Sequence, residues 1–404
     1  MVPLVFAAEA GTLELSDRTG ADVRAGTGGP TSYDALTAAN ARVAVIDRRW
    51  SLTAGYSPTV SVSAVEGTPT TPYVVQSENV GVAWRARSLT LSLAETGSYG
   101  WQYTANLVPQ PVAPTAVLPI TRLPSTLAVL QMVSLSTTVS AQYVPARRWT
   151  LGLTAGYAEG GGARDVDRAI APLTYGLSAM GSATFAVTRR DSGFLRVFGL
   201  RSWTMSGPCL ATGATELPAA GTLATCAPDS DVGTVTVGDQ HTFSRASTAM
   251  AGIGVGVARA RLGPDQPYTT GYYPTALVSY VTAFGPRNGR MSLRFDGQIA
   301  PLVDTWTGAL DYSTAATATI RSTFVSRAAV ALALGALQSL GDEEERPTTT
   351  VFASGLAEYP IGKYVFLNAM ATYSWQDQLG SGATSLVGFF VGATMHTLPL
   401  RFQL

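Results

Sequence analysis

The sequence predicts an all-β protein, a transmembrane antiparallel β-barrel of about 18 strands, with about 16 as the alternative. Three observations predict it. Apolar and small polar residues alternate over long segments. No stretch approaches the roughly 18–20 apolar residues that a membrane helix requires. Charged residues make up only 13% of the chain while 46% is hydrophobic, with a mean hydropathy of +0.17. Soluble chains carry about 25% charged residues.

Alternation fixes the strands. In 50–62, Trp50, Leu52, Ala54, Tyr56, Val60 and Val62 share one face and Ser51, Thr53, Gly55, Ser57, Thr59 and Ser61 the other. In 133–143, Val133, Leu135, Val139, Ala141 and Tyr143 oppose Ser134, Ser136, Thr138, Ser140 and Gln142. The run 149–157 sets Leu151, Leu153, Ala155 and Tyr157 against Thr150, Gly152, Thr154 and Gly156. Met291, Leu293, Phe295 and Ile299 oppose Ser292, Arg294, Asp296 and Gln298, and 365–376 repeats the pattern. A period of two is the strand signature, but a soluble sandwich also buries one face and wets the other. Three features favour the membrane. The alternating runs are long, against about 5–6 residues for a soluble strand. Trp50, Trp84, Trp149, Trp203, Trp375, Tyr56, Tyr143, Tyr157 and Tyr373 gather toward strand ends, as in interfacial girdles. The polar face is Ser, Thr and Gly rather than charged.

Two kinds of connection alternate. The short ones are basic: "DRR" (47–49), "RAR" (85–87), "PARR" (145–148), "TRRDSG" (188–193), "SRAS" (244–247), "GPRNG" (285–289), "VSR" (325–327) and "PIGK" (360–363). The long ones are rich in Gly, Pro, Thr and Asp: 25–38, 66–73, 105–125, 158–171, 206–230, 262–270, 303–308, 342–347 and 377–383. Eight short turns and nine long loops join 18 strands. Barrels of this kind have short periplasmic turns and long extracellular loops, so both termini are expected in the periplasm. The weakest strand, 231–243, is needed for an even number. "AAVALALGAL" (328–337) has helix-forming composition but lies between a short turn and a long loop, and reads as a strand.

Residues 1–10 read as the remnant of an export signal or a leader, the alternative being a plain segment ahead of the first strand; 11–404 read as one barrel domain. Cys209 and Cys226 fall in one Pro/Ala/Gly/Thr-rich loop and are the candidate disulfide, the alternative being two free thiols. At the C-terminus Leu398, Leu400, Phe402 and Leu404 alternate to the last residue, and Pro399 suits a strand whose pairing is incomplete.

Little in the sequence points to catalysis. His241 and His396 are the only histidines, and no His/Cys cluster has ligand spacing, so no metal, no cofactor and no enzymatic activity are expected. With 27 basic and 27 acidic residues the net charge is zero, which argues against a nucleic-acid partner. "AEGGGARD" (158–165) is glycine-rich without a following helix signal and reads as a surface loop. The acidic run "GDEEERP" (341–347) reads as a solvated loop, or as a place for divalent cations or lipopolysaccharide. The candidate pore-lining residues are the charged and amide groups on polar registers: Arg294, Asp296, Gln298, Asp311, Arg321, Glu358 and Asn368. They either set solute preference or brace the wall as ion pairs.

About 18 strands make a barrel wide enough for an aqueous channel unless loops fill it. The chain resembles the large outer-membrane β-barrels of Gram-negative bacteria. Its Arg-rich, almost Lys-free hairpins "DRRW" (47–50) and "ARRW" (146–149) are similar to those of myxobacterial barrels, including some thought to serve polysaccharide export. The resemblance implies an outer-membrane location, contact with outer-membrane lipid and lipopolysaccharide, the barrel assembly machinery during biogenesis, and a periplasmic polysaccharide-export partner. Alternatives are a general diffusion porin and a structural or adhesion barrel with a closed lumen.

Overall fold

The computed structural model describes residues 10–26, 31–65, 71–103, 129–168, 171–205, 207–208, 225–226, 229–261, 267–285, 290–303, 310–324, 327–340, 348–378, 382–397 and 400–402. The first nine strands are β1 (Ala10–Gly26), β2 (Ser32–Ile46), β3 (Trp50–Val65), β4 (Thr71–Arg85), β5 (Leu89–Tyr103), β6 (Val129–Ala146), β7 (Trp149–Gly162), β8 (Thr174–Ala186) and β9 (Asp191–Thr204). A two-strand ribbon follows, β10 (Gly207–Pro208) and β11 (Thr225–Cys226). The wall resumes with β12 (Asp229–Ser244), β13 (Ser247–Arg261), β14 (Thr269–Phe284), β15 (Arg290–Val303) and β16 (Leu310–Thr323). It ends with β17 (Ala329–Ser339), β18 (Thr348–Pro360), β19 (Val365–Gln378), β20 (Gly382–His396) and β21 (Leu400–Phe402). A short helix, α1 (Asp165–Arg168), lies between β7 and β8, and among the described residues no helix is long and apolar enough to cross a membrane.

Every neighbouring pair is antiparallel, and the sheet closes on itself. β1 pairs with β2 on one side, Ala10 opposite Ile46, and with β20 on the other, Ser16 opposite His396. β21 continues along the same edge, Gly11 opposite Phe402. Thus β20 and β21 are two pieces of one strand, and the barrel has 18. The interruption lies next to Pro399, which has no N–H to give. Thr397 covers part of the gap: its N–H donates to the Leu15 carbonyl at 2.8 Å and its Oγ1 accepts from the Leu15 N–H at 3.1 Å.

A closed sheet leaves no unpaired edge, which is the condition for crossing lipid with strands. The short turns are tied locally. Asp47 N donates to Trp50 O at 2.8 Å, Ala86 N to Leu89 O at 2.7 Å, and Val187 N to Asp191 O at 2.9 Å. The strand ends that flank the expected short turns lie at one rim and those that flank the long connections at the other; 231–243 falls in β12 and 329–337 in β17. Several loop limits move. The connection read at 25–38 shrinks, because β1 runs to Gly26 and β2 starts at Ser32. β7 runs to Gly162, well into the loop expected at 158–171, and β19 runs to Gln378. In each case main-chain pairing continues past the point where the side-chain alternation weakens. Of the leader expected at 1–10, residues 1–9 lie outside the described residues and Ala10 opens β1; Cys209 and the acidic run 341–347 also lie outside them, and Cys226 falls in β11.

The pairing registers separate two faces cleanly. Leu52, Tyr56, Val60, Leu151, Leu153, Ile253, Leu334 and Val391 point outward and are exposed. The outer surface is therefore an apolar belt. Trp50–Trp84 and Trp149–Phe185 mark it at the short-turn rim, with ring centroids 6.2 and 4.8 Å apart, and Tyr175–Trp203 at the other, 5.7 Å apart. From Phe185 to Tyr175, both on the outward face of β8, a tilted strand rises about 25 Å, the height of the apolar band of a membrane barrel.

Candidate functional site

The inward face carries the polar half of every alternation, so the candidate site is the lumen wall. Serine, threonine and glycine dominate it because they leave room and can hydrogen-bond water. Three inward phenylalanine rings lie close against that wall. A Cβ on Gly335 would sit 2.0 Å from the Phe352 ring, one on Gly20 2.4 Å from Phe390, and one on Gly238 2.5 Å from Phe194. Each ring thus occupies space vacated by a glycine on a neighbouring strand instead of projecting into the lumen.

Of the sequence-derived candidates, Arg294, Asp296, Gln298, Arg321, Glu358 and Asn368 fall on inward registers. Asp311 occupies the position opposite Leu302, two residues from inward Ser313; its side chain lies outside the described set. Arg294 Nε donates to Asp296 Oδ2 at 2.6 Å, and Ser279 Oγ donates to Asp296 Oδ1 at 2.7 Å. This carboxylate is fully engaged as a brace. Glu358 is opposite Asn368, whose amide donates to Thr394 Oγ1 at 2.6 Å. Arg321 is exposed close to the short-turn rim, whereas the Gln298 Nε2 is buried without a hydrogen-bond partner. The candidates therefore do not converge on one point; they are spread along β15, β16, β18 and β19.

A second charged sector was missed by the sequence reading because its residues fall around the supposed loop 25–38. On β1 and β2, Asp22 and Asp34 stand directly opposite each other, facing inward. Arg24 Nε donates to Asp22 Oδ2 at 2.8 Å, and the Tyr73 hydroxyl donates to Asp34 Oδ1 at 3.2 Å, which relieves the repulsion. Arg18, next along β1, stacks over Phe390 at 4.2 Å. On β9, Arg196 lies over Phe194 at 5.0 Å. The signal available in the sequence was the even spacing of Arg18, Asp22 and Arg24, at i, i+4 and i+6, which puts them on one strand face.

Exposure changes along the lumen. Near the short turns Arg42, Gln142, Arg321 and Leu356 are exposed. Near the long connections the inward side chains are covered: Ser32 and Ser230 are 0% exposed, Ser313 and Thr350 1%. The inward wall is thus exposed at the short-turn end and covered at the other. At the long-connection rim, on the outward register, Tyr268 donates to Asp229 at 2.7 Å, which pushes its phenol above the ordinary range.

The two histidines both lie at the short-turn rim. His241 Nδ1 is 2.6 Å from Asp191 Oδ1 and its ring packs against Phe243; His396 packs edge-on against Phe366. Among the described residues no three His, Cys, Asp or Glu groups are placed to hold a metal.

No family model matches the sequence, and no curated protein matches it. Solved structures with a similar strand arrangement include OccK5 (OpdH) of Pseudomonas aeruginosa, 8% identical, with a TM-score of 0.43 over 96% of this chain and 98% of that one. OccAB3 of Acinetobacter baumannii is 9% identical, with a TM-score of 0.42 over 96% and 99%. The FrpB iron transporter of Neisseria meningitidis is 9% identical, with a TM-score of 0.48 over 92% of this chain but only 62% of that one. Likeness at this level is one of strand arrangement alone.

Proposed function

We propose that this chain is an outer-membrane channel through which small hydrophilic solutes diffuse, with the long connections facing outward and both ends of the chain in the periplasm. The observation that carries the reading is the lumen wall: a closed 18-stranded barrel whose inward face is hydroxyl-lined, with three phenylalanine rings laid against glycines. A barrel of this strand number encloses an aqueous space unless it is filled. Polysaccharide export, expected from the hairpin resemblance, draws no support from the wall, and general diffusion needs no partner.

The test is conductance in planar bilayers. Discrete, ohmic openings are expected for the purified barrel and for a form from which 106–124 of the β5–β6 connection are deleted. A barrel silent in both forms would favour the closed, structural alternative, for which the burial at the long-connection rim is the supporting observation. Labelling a cysteine placed in the 341–347 connection of intact cells with an impermeant reagent checks the orientation.

A further inference from the structure

The outer surface of the barrel carries a groove of about 560 Å³ on the β8–β9–β12–β13 sector. Its floor is bare backbone. Gly199 and Gly233 stand opposite each other on the outward face; an added Cβ would find nothing within 4 Å at Gly199 and only a carbonyl at 4.0 Å at Gly233. Leu177 and Val257 are its side walls, both exposed. Toward the short turns the floor runs on to the outward, exposed Val197, Val235 and Val255. This part of the groove is apolar and sits within the lipid-facing belt.

Its other end is charged. One row toward the long connections lie Arg201, Asp231 and Arg259, and beyond them Asp229 and Arg261. Arg259 Nε is committed to Asp231 at 2.6 Å, and Arg261 to Asp229 at 3.1 Å. Arg201 is different: its side chain is 55% exposed, and its nearest carboxylate, Asp229, is 3.6 Å away, outside hydrogen-bond range. Three arginines face two carboxylates, so the rim carries a net positive charge, and Arg201, loosely paired with Asp229 at 3.6 Å and 55% exposed, can receive a further anion.

We propose that this groove binds one molecule of lipopolysaccharide, an acyl chain lying over Gly199 and Gly233 and a glucosamine phosphate at Arg201. An acyl chain is the shape that fits a narrow apolar channel floored by glycine. A phosphate placed where lipid tails give way to headgroups meets Arg201 by charge complementarity. The choice of lipopolysaccharide over a phospholipid rests on the outward orientation of the long connections proposed above. The lipid site does not depend on whether the lumen conducts.

The experiment is native mass spectrometry of the full barrel in detergent, titrated with lipid A and separately with phosphatidylglycerol. Lipid A is expected to bind one per chain. Gly199→Leu and Arg201→Gln are each expected to weaken it at least tenfold, with bilayer conductance unchanged. Both positions are exterior and uncrowded, and a retained heat-modifiable gel shift confirms that each variant is folded. Undiminished lipid A binding in both variants overturns the site. Equal binding of phosphatidylglycerol, abolished by the same substitutions, overturns lipopolysaccharide as its occupant. Loss of conductance with lipid binding intact would bear on the channel alone.

Discussion

Phe352 and Gly335 show how single residues decide the shape of the lumen. The ring fills the space where a Cβ on Gly335 would stand, only 2.0 Å away. Gly335→Ala therefore has to swing Phe352 off the wall. The expected outcome is a lower single-channel conductance and a loss of about 1–3 kcal/mol from overpacking. Adding Phe352→Ala to Gly335→Ala should restore conductance, which separates obstruction by the ring from damage to the strand. Arg327 gives a second residue-scale prediction. It adopts φ 66° in the β16–β17 turn, a left-handed conformation costing an L-residue roughly 1–2 kcal/mol. Arg327→Gly is expected to stabilise the barrel by roughly 1 kcal/mol in urea titrations in micelles. Neither effect was legible in the sequence: alternation tells that Phe352 faces inward, but only cross-strand register tells which glycine lies beneath it.

Among elements, the strands were legible and their ends were not. Alternation of bulky and small polar groups follows directly from the two faces of a pleated sheet, so β3, β6, β7, β15 and β19 could be read residue by residue. Ser32–Ala38 of β2 could not. There, inward Asp34 and outward Ala35 and Thr37 blur the contrast, while backbone pairing to β1 persists. The charged end of the lipid groove was hidden for a related reason. Arg201, Asp231 and Arg259 occupy outward registers, and their polarity imitates the start of a loop. A polar residue on the outward face deeper in the belt is another exception to the pattern. Glu78 is exposed opposite Tyr56 on β3 and Gly97 on β5, six residues along β4 from Trp84, which places it about 15 Å into the belt. A carboxylate facing lipid costs stability, though less than an arginine or lysine. Glu78→Leu is expected to stabilise the barrel by about 1 kcal/mol in lipid vesicles, read from the unfolding midpoint. Destabilisation instead would mean that a protein neighbour covers this part of β4.

At the scale of the whole molecule, charge balance is the property that bears on the proposed diffusion of solutes. The chain is neutral overall, and the inward face repeats that balance in local pairs: Arg24 with Asp22, and Arg294 with Asp296. Pairs of this kind brace the wall and cancel each other's field over a distance comparable with the Debye length, about 8 Å at physiological salt. The intact barrel should accordingly discriminate little between potassium and chloride, with a reversal potential near zero in a KCl gradient. Breaking one pair exposes one sign. Asp296→Asn keeps the volume and the hydrogen bond to Ser279 but releases Arg294, which is 39% exposed in the lumen. The reversal potential should then move toward chloride preference, by an amount that shrinks as salt is raised. The double substitution Arg294→Gln with Asp296→Asn should bring it back toward zero while conductance stays close to that of the unaltered barrel. A shift that survives in the double variant would locate selectivity elsewhere on the wall, with Arg18 and Arg196, both inward and both stacked on phenylalanine, the next residues to exchange.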